Sequence, residues 1–545
     1  MIELSRIEDR RRTLLSMEKG IKPAGIEGKQ SSLTAIIGTG YRSRSMLSEV
    51  QRRRRRRRFR RLLSMITLGL LALISVLLFR TLTLPSRQMT VPPGPPIQID
   101  AAAAAARLAQ ALPFRTVSYQ DRSQFSREAF LGLHQYLVKA FPETHRTLQR
   151  ELINDYSLLY TWAGTDPTLP PMLLLGHLDV VPVEPGTEKE WTYPPFSGTL
   201  ADGYIWGRGA MDDKVAVLGT LEAVEHLLRQ RYTPRRTVLL AFGHDEELGG
   251  QAGAKSIVAR LAQTGSRPVF ILDEGMAILS GILPGIDRPV ASIGLAEKGY
   301  VSVELIAEGP GGHASMPPAH TSVGILASAI HALESHPMPA HTDGLAGALL
   351  QFLAPEMTTG PRMALANLWL FDPVLKLVLD RSAPTRAMIR TTFAATMLEG
   401  SSKDNVLPAR ARAVVNVRVH PSDSIESVMD HVTHAIGDPR VTVRRIEGVM
   451  SEPSAVSSRE SPTFAILQRT IGQQFSDVIV APGLVLGGTD SRHYQTLSEQ
   501  VYRFLPLRVN ASDIVRIHGV NERLAVDHYA DAIAFYMRLI RNFND

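Results

Sequence analysis

The 545-residue sequence contains no cysteine. This absence excludes disulfide bonds and thiolate metal ligands, so a metal site in this chain has to be built from histidine and carboxylate side chains. An oxidising compartment is permitted but not indicated. The apolar fraction, 44%, is that of an ordinary globular protein, and the length is sufficient for two or three domains.

The chain also lacks excess positive charge outside its first 61 residues. The formal net charge is +7, but residues 1–61 contain 18 Lys or Arg against 6 Asp or Glu, which leaves the remainder at −5. A mildly acidic body argues against a folded part that binds nucleic acid. We find no internal repeat.

Leu62 to Phe79 is an uncharged run of 18 mostly apolar residues that directly follows the arginine-rich segment 52–61. A helix of this length spans roughly 27 Å, close to the ~30 Å hydrocarbon core of a bilayer. The run therefore predicts a transmembrane anchor at 62–79. Arginines stay on the cytoplasmic side, so the basic tail 1–61 is expected in the cytoplasm and the rest on the extracytoplasmic (lumenal, vacuolar or periplasmic) side.

Two other interpretations of this run remain open, a cleaved signal peptide and a buried core helix. No small-x-small cleavage site follows Phe79, and the run is longer than a usual signal core. The arginines and the proline-rich linker 80–99 argue against a core helix. The arginine block could bind nucleic acid or anionic lipid. Its position before the apolar run is already explained if the arginines set the orientation of the anchor in the membrane. Residues 1–50 are polar and are expected to be poorly ordered.

Three short apolar runs predict buried parallel strands, and each leads into a cluster of acids or histidines. Parallel strands of an open α/β sheet place such clusters at one carboxyl edge, where the active site lies. A glycine-flanked turn, 207–214, adds the neighbouring acids Asp212 and Asp213. The runs and their clusters are 171–175 before His177 and Asp179, 237–242 before His244 to Glu247, and 268–272 before Asp273 and Glu274.

A metal is the simplest reason for these groups to converge. Histidine and carboxylate ligands without thiols suit a catalytic zinc, with manganese or cobalt as substitutes. His177 and Asp179 are two residues apart and point the same way on a strand, so Asp179 is placed to orient the imidazole of His177. Glu246 and Glu247 are neighbours and must diverge, so that one can bind metal while the other faces the substrate.

A second domain is predicted from residue 299 onward. The order of its segments is β-α-β-β-α-β, which is that of a ferredoxin-like α+β domain. Residues 345–389 are apolar and helical in pattern, carry no chemical cluster, and are interpreted as a helical insertion. The segments are 299–307, 321–336, 391–398, 411–419, 425–436 and 441–446.

Eight motifs, in order along residues 100–545, resemble the dizinc peptidases and amidohydrolases that include carboxypeptidase S, aminoacylase and succinyl-diaminopimelate desuccinylase. The likeness is greatest to the carboxypeptidase S and N-acyl amino acid hydrolase branch, although the arginine block and the 50-residue leader lie outside that pattern. The motifs are 177–182, 207–214, 243–250, 272–275, 312–315, 405–408 with Arg418, 487–491 and 518–521.

This resemblance implies an α/β zinc-peptidase catalytic domain with a mixed sheet flanked by helices, interrupted by a ferredoxin-like lid domain that forms a dimer contact. The implied catalytic parts are 100–297 and 448–545, and the implied lid is 298–447. One zinc would be bound by His177 and Asp273 and the other by Glu247 and His518, with Asp212 bridging them.

The resemblance also implies roles outside the metal ligands. Asp179 would orient His177, and Glu246 would be the general base. The other implied residues contact the substrate: His313 at the oxyanion, and Asn405, Arg418, Gly488 and Thr489 on the carboxylate side.

Each candidate also has an ordinary structural interpretation. Asp212 can cap a helix, His518 can be a loop histidine, and Arg418 can be an exposed strand residue or ion-pair partner. The functional prediction is a membrane-anchored zinc hydrolase that cleaves the amide bond next to a free carboxylate, in small peptides or N-acyl amino acids. The alternative is a membrane-tethered binding or scaffold protein that kept the fold and lost turnover, but no ligand substitution is visible.

Overall fold

The computed structural model describes residues 34–282, 285–448 and 450–544, with side chains from residue 52 onward. The chain divides into two units, one ending at Val76 and the other running from Leu77 to Asp545. Short 3₁₀ turns, including Glu246–Leu248, connect some elements. The α-helices are α1 Thr34–Leu82, α2 Ala101–Ala111, α3 Arg127–Ala140, α4 Pro142–Thr147, α5 Lys214–Arg229, α6 Ala254–Gln263, α7 Ser322–Ser335, α8 Gly344–Leu353, α9 Thr359–Ala366, α10 Leu368–Leu379, α11 Ala383–Ile389, α12 Ile425–Ile436, α13 Pro462–Gln474, α14 Ser491–Tyr494, α15 Ala511–Ile514 and α16 Val526–Asn542.

The strands form one large mixed sheet and three smaller sheets. They are β1 Gln149–Ile153, β2 Ser157–Trp162, β3 Met172–His177, β4 Thr199–Ala201, β5 Tyr204–Trp206, β6 Val238–Gly243, β7 Phe270–Asp273, β8 Ile278–Leu279, β9 Val290–Glu297, β10 Gly299–Glu308, β11 Gly312–His313, β12 Thr392–Glu399, β13 Val406–Leu407, β14 Arg410–Val419, β15 Val441–Arg445, β16 Ile479–Val485, β17 Val501–Arg503, β18 Arg508–Val509 and β19 Arg523–Ala525.

Helix α1 contains the apolar run 62–79, and the side chains along that run are largely exposed. Its segment Arg52–Leu82 is the one helix of the described chain that is long and apolar enough to cross a bilayer. The helix begins at Thr34, so residues 34–50 are part of it. Extending a helix that is already nucleated requires little free energy per residue, and arginine is a good helix former. The rest of the tail, 1–33, lies outside the described residues.

The central strands of the large sheet are buried on both faces. Its order is β1-β2-β6-β3-β7-β17-β9-β8-β18, with β16 paired to β9, and β6, β3, β7 and β17 are parallel to one another. Alternate residues of β3 enter different cores: Met172 and Leu174 join the core that includes α5 and α16, whereas Leu173 and Leu175 join the core that includes α6. Burial on both faces explains why the strands are continuous apolar runs.

Residues 299–445 contain the four-stranded sheet β12-β14-β10-β15, which is antiparallel throughout. This order, with α7 and α12 as the intervening helices, is the arrangement expected of a β-α-β-β-α-β segment. The helices pack on the sheet through Leu326 and Val428, which share a core with Val303 and Val415. β12 lies at the edge. Between α7 and β12 the chain forms the four helices α8 to α11.

Candidate metal centre

Segments that are far apart in the sequence meet at the carboxyl edge of the large sheet. Strands β6, β3 and β7 are parallel neighbours, so Glu247, His177 and Glu274, which lie at or just beyond their ends, emerge at the same edge. Asp212 comes from the turn before α5, and His518 comes from the loop between α15 and β19. The apolar runs that predicted the strands therefore also predicted where the polar groups meet.

Asp212 lies between two imidazole rings. Its Oδ1 is 3.0 Å from Nε2 of His177, and its Oδ2 is 2.9 Å from Nε2 of His518. Each histidine also approaches a glutamate. Oε1 of Glu274 is 3.3 Å from Nε2 of His177, and Oε1 of Glu247 is 3.4 Å from Nε2 of His518. The result is two groups of three residues that share Asp212, and the ligand atoms within each group lie within 4.8 Å of one another.

The chemistry of these two groups fits a pair of divalent cations. Two imidazoles and three carboxylates offer nitrogen and oxygen ligands of the kind that zinc accepts. Oε1 of Glu247 is buried and has no hydrogen bond of good geometry, a deficit that a directly bound cation would remove. His518 is half-exposed, so the edge of the cluster formed by Asp212, Glu247 and His518 is open to solvent.

The crowding of buried carboxylates determines the electrostatics of the cluster. Burial raises the pKa of Glu247, and burial together with the charge of Asp212 raises the pKa of Glu274 to about 7. The hydrogen bond to Asp212 and the nearby carboxylate of Glu247 raise the pKa of His518 to about 10. Burial alone would raise the pKa of Asp212, but hydrogen bonds from His177 and His518 outweigh it and lower that pKa. The cluster therefore attracts positive charge, as protons or as metal ions.

Asp179 connects His177 to the turn that carries the two glutamates. Its Oδ1 is 3.3 Å from Nδ1 of His177, on the side of the ring opposite the ligand atom. The same fully buried carboxylate accepts hydrogen bonds from the backbone N–H groups of Glu246 and Glu247, both at 3.2 Å, and from the hydroxyl of Ser118 at 2.6 Å. Ser118 was missed by the sequence analysis because it stands alone, outside every motif. Asp179 thus fixes the position of the His177 ring relative to the turn that carries Glu246 and Glu247.

Glu246 points into the same space from the other side of that turn. One of its carboxylate oxygens lies within 4.8 Å of the ligand atoms of His177 and Glu247. Burial raises its pKa well above the ordinary value, while the nearby His177 opposes that rise. A raised pKa suits a carboxylate that takes and returns a proton near neutrality.

The assignment of Asp273 to the metal site is wrong in this structure. Neighbouring residues at the end of a strand point to opposite sides. Asp273 turns away, and its Oδ2 accepts a hydrogen bond from the backbone N–H of Ser491 at 2.8 Å. Glu274 is the residue that reaches His177. The sequence places two acids in succession and does not show which of them faces the cluster.

The two acids are therefore expected to respond differently to neutralisation. Glu274→Gln removes a charged candidate ligand, so a cation bound at His177 should be lost together with most of the activity. Asp273→Asn leaves an oxygen to accept from Ser491, so we expect the metal content to stay at the wild-type level. Metal analysis after gel filtration measures both. Loss of metal from Asp273→Asn with full metal in Glu274→Gln would restore the original assignment.

Glu522 fixes the turn that presents Asp212, and the sequence analysis assigned it no role. It is fully buried and accepts hydrogen bonds from Arg208 at 2.6 Å and from the backbone N–H groups of Gly209, Met211 and Asp212 at 3.1, 2.8 and 3.2 Å. Four donors on one carboxylate hold the turn rigidly. The signal in the sequence was weak: an acid four residues after the candidate ligand His518.

Glu522→Gln is expected to loosen this turn. The neutral amide weakens the bond to the buried guanidinium of Arg208, which places the cost at about 1–3 kcal/mol in the free energy of unfolding. Denaturant unfolding of the metal-free protein measures this cost. The exposed Glu499→Gln is the matched control and should leave stability unchanged. Equal stability of the two variants would show that Glu522 does not hold the turn.

This chain matches the model of a known protein family. The model is that of peptidase family M20/M25/M40, and it matches residues 173–542. The chain belongs to this family. It is therefore an M20 metallo-hydrolase, and the resemblance drawn from the eight motifs is confirmed.

Two M20 relatives and one solved structure show the extent of the similarity. The probable carboxypeptidase S-like 2 of Dictyostelium discoideum is 41% identical over 483 residues, covering 87% of this chain and 92% of that protein. The N-fatty-acyl-amino acid synthase/hydrolase PM20D1 of Xenopus tropicalis is 40% identical over 483 residues, covering 87% and 93%. The M20 family metallo-carboxypeptidase Sso-CP2 from Sulfolobus solfataricus superimposes with a TM-score of 0.60 at 18% identity, covering 82% of this chain and 100% of that one. The mixed α/β architecture is thereby confirmed.

His313 and Asn405 lie together, apart from the metal cluster of this M20 chain. β11 and β13 pair in a two-stranded sheet, and the backbone N–H of Ala314 donates to the carbonyl of Asn405 at 3.1 Å. Both side chains are exposed. Among the described residues, the His and acid clusters do not include His313. The two residues that the resemblance assigned to the substrate are thus neighbours of one another.

The other residues assigned to the substrate, Arg418, Gly488 and Thr489, differ in their exposure and in their contacts within the protein. The guanidinium of Arg418 lies 5.0 Å from the ring centre of Tyr300, and burial, reinforced by the charge of Arg492, lowers its pKa. Gly488 is partly exposed. Thr489 is buried, and its N–H and hydroxyl both donate to Glu297 at 2.7 and 3.1 Å. Thr489 thus holds the turn through Glu297, and its assignment as a substrate contact stays a prediction.

A further cluster of His341, His420 and Asp423 has the composition of a metal site. The backbone N–H of Ser422 donates to Nδ1 of His420 at 3.1 Å, so the neutral imidazole must carry its proton on Nε2. A nitrogen that carries a proton is not a ligand. We therefore interpret this cluster as a packing contact, in which the rings of His341 and His420 stack with centres 5.2 Å apart.

Proposed function

We propose that this M20 chain is a dizinc hydrolase that cleaves the amide bond next to a free carboxylate, at the C-terminal residue of small peptides or in N-acyl amino acids. The observation that carries the proposal is the pair of ligand groups joined by Asp212: His177 with Glu274, and Glu247 with His518. The names of the two relatives, carboxypeptidase S-like and N-fatty-acyl-amino acid synthase/hydrolase, support this substrate class.

The residues around the ligands supply the proton transfers. When bound, the two metal ions supply an acidified water and polarise the amide carbonyl, which is the usual chemistry of a two-metal hydrolase. Glu246 accepts the proton of the attacking water and delivers it to the departing amine nitrogen, so the carboxylate ends the cycle unprotonated. Asp179 keeps the tautomer and orientation of His177 fixed during both transfers.

Residues 298–447 are proposed to act as a lid that completes the substrate site and forms a dimer contact. Arg418 presents a fork of donors suited to a substrate carboxylate, with Arg492 as a second cation nearby. His313 is proposed to stabilise the oxyanion, with Asn405 beside it. The edge strand β12 leaves Met397 and Leu398 exposed, which supports a contact with a second copy.

The segment Arg52–Leu82 is proposed to anchor the enzyme with its N-terminus in the cytoplasm and its catalytic part on the other side. Its length, its apolar composition and the preceding arginines support this topology. In sealed membranes, we expect an N-terminal epitope to be accessible to protease on the cytoplasmic side and a C-terminal epitope to be protected. Release of the protein by alkaline carbonate would contradict the anchor.

Hydrolysis assays on the zinc-loaded full-length protein test the proposed reaction. The panel compares dipeptides, N-acetyl amino acids and N-fatty-acyl amino acids, each beside its C-terminal amide. We expect turnover only for substrates with the free carboxylate, because the amide derivative removes the charge that Arg418 is proposed to bind. Equal turnover of an acid and its amide would reject the carboxylate requirement, and fewer than one zinc per chain would reject the dizinc centre.

A further inference from the structure

Helix α10 leaves its apolar side chains uncovered. Nine of its twelve residues are Leu, Val, Phe or Trp, yet none of the twelve is buried. Trp369 is 57% exposed and Leu377 is 68% exposed. Contiguous apolar surface of this kind on a soluble protein marks an interaction site.

Leu370, Val374 and Val378 recur at steps of four, and Trp369 and Leu377 lie beside this row, so the exposed residues share one side of the helix. We call this side the apolar face of α10. The charged residues Asp372 and Lys376 form an ion pair at 2.9 Å on the opposite side. Asp372 also accepts a hydrogen bond from Thr342. The apolar face consists of Trp369, Leu370, Val374, Leu377 and Val378.

Hydrogen bonds attach the start of α10 to the end of α1. Asn367, the residue before α10, donates from its side chain to the carbonyl of Leu77 at 3.2 Å. Nε of Arg80 donates to the carbonyl of Ala366 at 3.1 Å, and Arg362 donates to the carbonyls of Thr81 and Leu84 at 3.1 and 3.3 Å. Leu77 is two residues short of Phe79, where the apolar run ends. The apolar face of α10 therefore begins at the level at which the chain would leave the bilayer.

Trp369 has the properties of a residue at a lipid interface. Its indole N–H donates to Oδ1 of Asn367 at 3.4 Å, which satisfies the polar edge of the ring inside the protein. The rest of the ring is free to contact apolar groups. Tryptophan is enriched where hydrocarbon meets headgroups, and a helix with one apolar and one charged side lies in that plane.

We propose that α10 lies in the membrane–water interface beside the anchor, with its apolar face in contact with lipid. This inference rests on the proposed anchor, because the anchor places Leu77 at the bilayer surface. The helix then acts as a second, monotopic attachment that fixes the orientation of the catalytic part relative to the membrane. A second copy of the chain is the other candidate occupant. Lipid is favoured because the hydrogen bonds to residues 77–84 keep the start of α10 next to the segment where the apolar run ends, whatever the oligomeric state.

Tryptophan fluorescence tests this contact. The chain has four tryptophans, and Trp162, Trp191 and Trp206 are buried, so Trp369 alone is accessible to a quencher in lipid. We expect full-length protein in phosphatidylcholine vesicles to lose the share of emission contributed by Trp369 when the acyl chains are brominated near the headgroups. Trp369→Phe should abolish this loss. No quenching of the wild type, or the same quenching of Trp369→Phe, would overturn the proposal.

A charge on the apolar face provides a second measure that does not alter the core. Leu377→Asp should reduce the quenching of Trp369, because a carboxylate at this position resists entry into hydrocarbon. Leu152→Asp is the matched control, since Leu152 is also exposed but lies on the edge strand β1. Unchanged quenching in Leu377→Asp, or loss of dimers in that variant when the wild type itself is not quenched, would reject lipid as the occupant.

Carbonate extraction of the same vesicles tests the anchor separately from the contact of α10 with lipid. Protein that resists carbonate but shows no quenching would leave the anchor standing and overturn the role of α10. Protein that is extracted by carbonate yet quenched on neutral vesicles would reject the anchor and retain the contact of α10 with lipid.

Discussion

Glu246→Gln is expected to retain both zinc ions and to lose about 10²- to 10⁴-fold in kcat, the usual contribution of a general base. Glutamine preserves the size of the side chain but cannot take a proton from water. Glu246 lies outside the two ligand groups that share Asp212, so its neutralisation should leave the metal content unchanged. Steady-state kinetics on protein of measured zinc content tests both halves of the expectation.

The neighbouring Glu247→Gln is the matched control. It makes the same change one residue away, but Glu247 belongs to the group with Asp212 and His518, so it should lose zinc as well as activity. Glu246 could also act as a ligand, because its carboxylate lies within reach of His177 and Glu247. Zinc loss in Glu246→Gln would assign it that role, and turnover near the wild-type rate would remove it from the mechanism.

The position of the metal cluster could be predicted from the sequence because strand burial leaves a clear pattern. A strand buried on both faces reads as a continuous apolar run, and the first polar residues after it mark the edge of the sheet. His177, Glu246 and Glu247 follow such runs, and the structure brings them together. Asp212 and His518 follow no strand of this kind, and they were found only through the resemblance and the glycine-flanked turn.

The choice between Asp273 and Glu274 was beyond the sequence pattern. Both are acids, and both follow the apolar run of β7. Successive side chains of a strand point to opposite faces of the sheet. Which of the two acids faces His177 therefore depends on the residue at which the strand ends, and moving that end by one residue would exchange them. The backbone N–H of Ser491, more than 200 residues away, holds Asp273 on the other side. A contact of that sequence separation leaves no local signal.

Residues that support the site were also missed, and for a related reason. Ser118 and Glu522 act on Asp179 and on the turn at Asp212, but neither belongs to a motif. Glu297 was missed in the same way. It is distant in the sequence from Thr489, yet it accepts hydrogen bonds from the backbone N–H and the hydroxyl of Thr489. Sequence patterns identified the groups that perform the chemistry better than the groups that hold them in place.

Asp212→Asn is expected to remove both metal ions with a single substitution. Asp212 is the only member common to the two ligand groups of the described chain, and its two oxygens face different histidines at 3.0 and 2.9 Å. An amide supplies one oxygen and no charge, so it cannot serve both groups. We expect less than one zinc per chain and activity below that of Glu246→Gln, because in the proposed mechanism the ions would supply the attacking water whereas Glu246 would only move its proton.

The thermal stability of this variant shows whether the two groups form one centre. A ligand that binds only the folded state stabilises it by about 4 kcal/mol at 1,000 times its Kd, so the wild-type Tm should rise when zinc is added to metal-free protein. Asp212→Asn should show no such rise, whereas the exposed control Asp527→Asn should behave like the wild type. If Asp212→Asn kept one zinc and half of the rise, the groups would be independent sites. Loss of both together would mean that Asp212 is the single link through which each ion depends on the other.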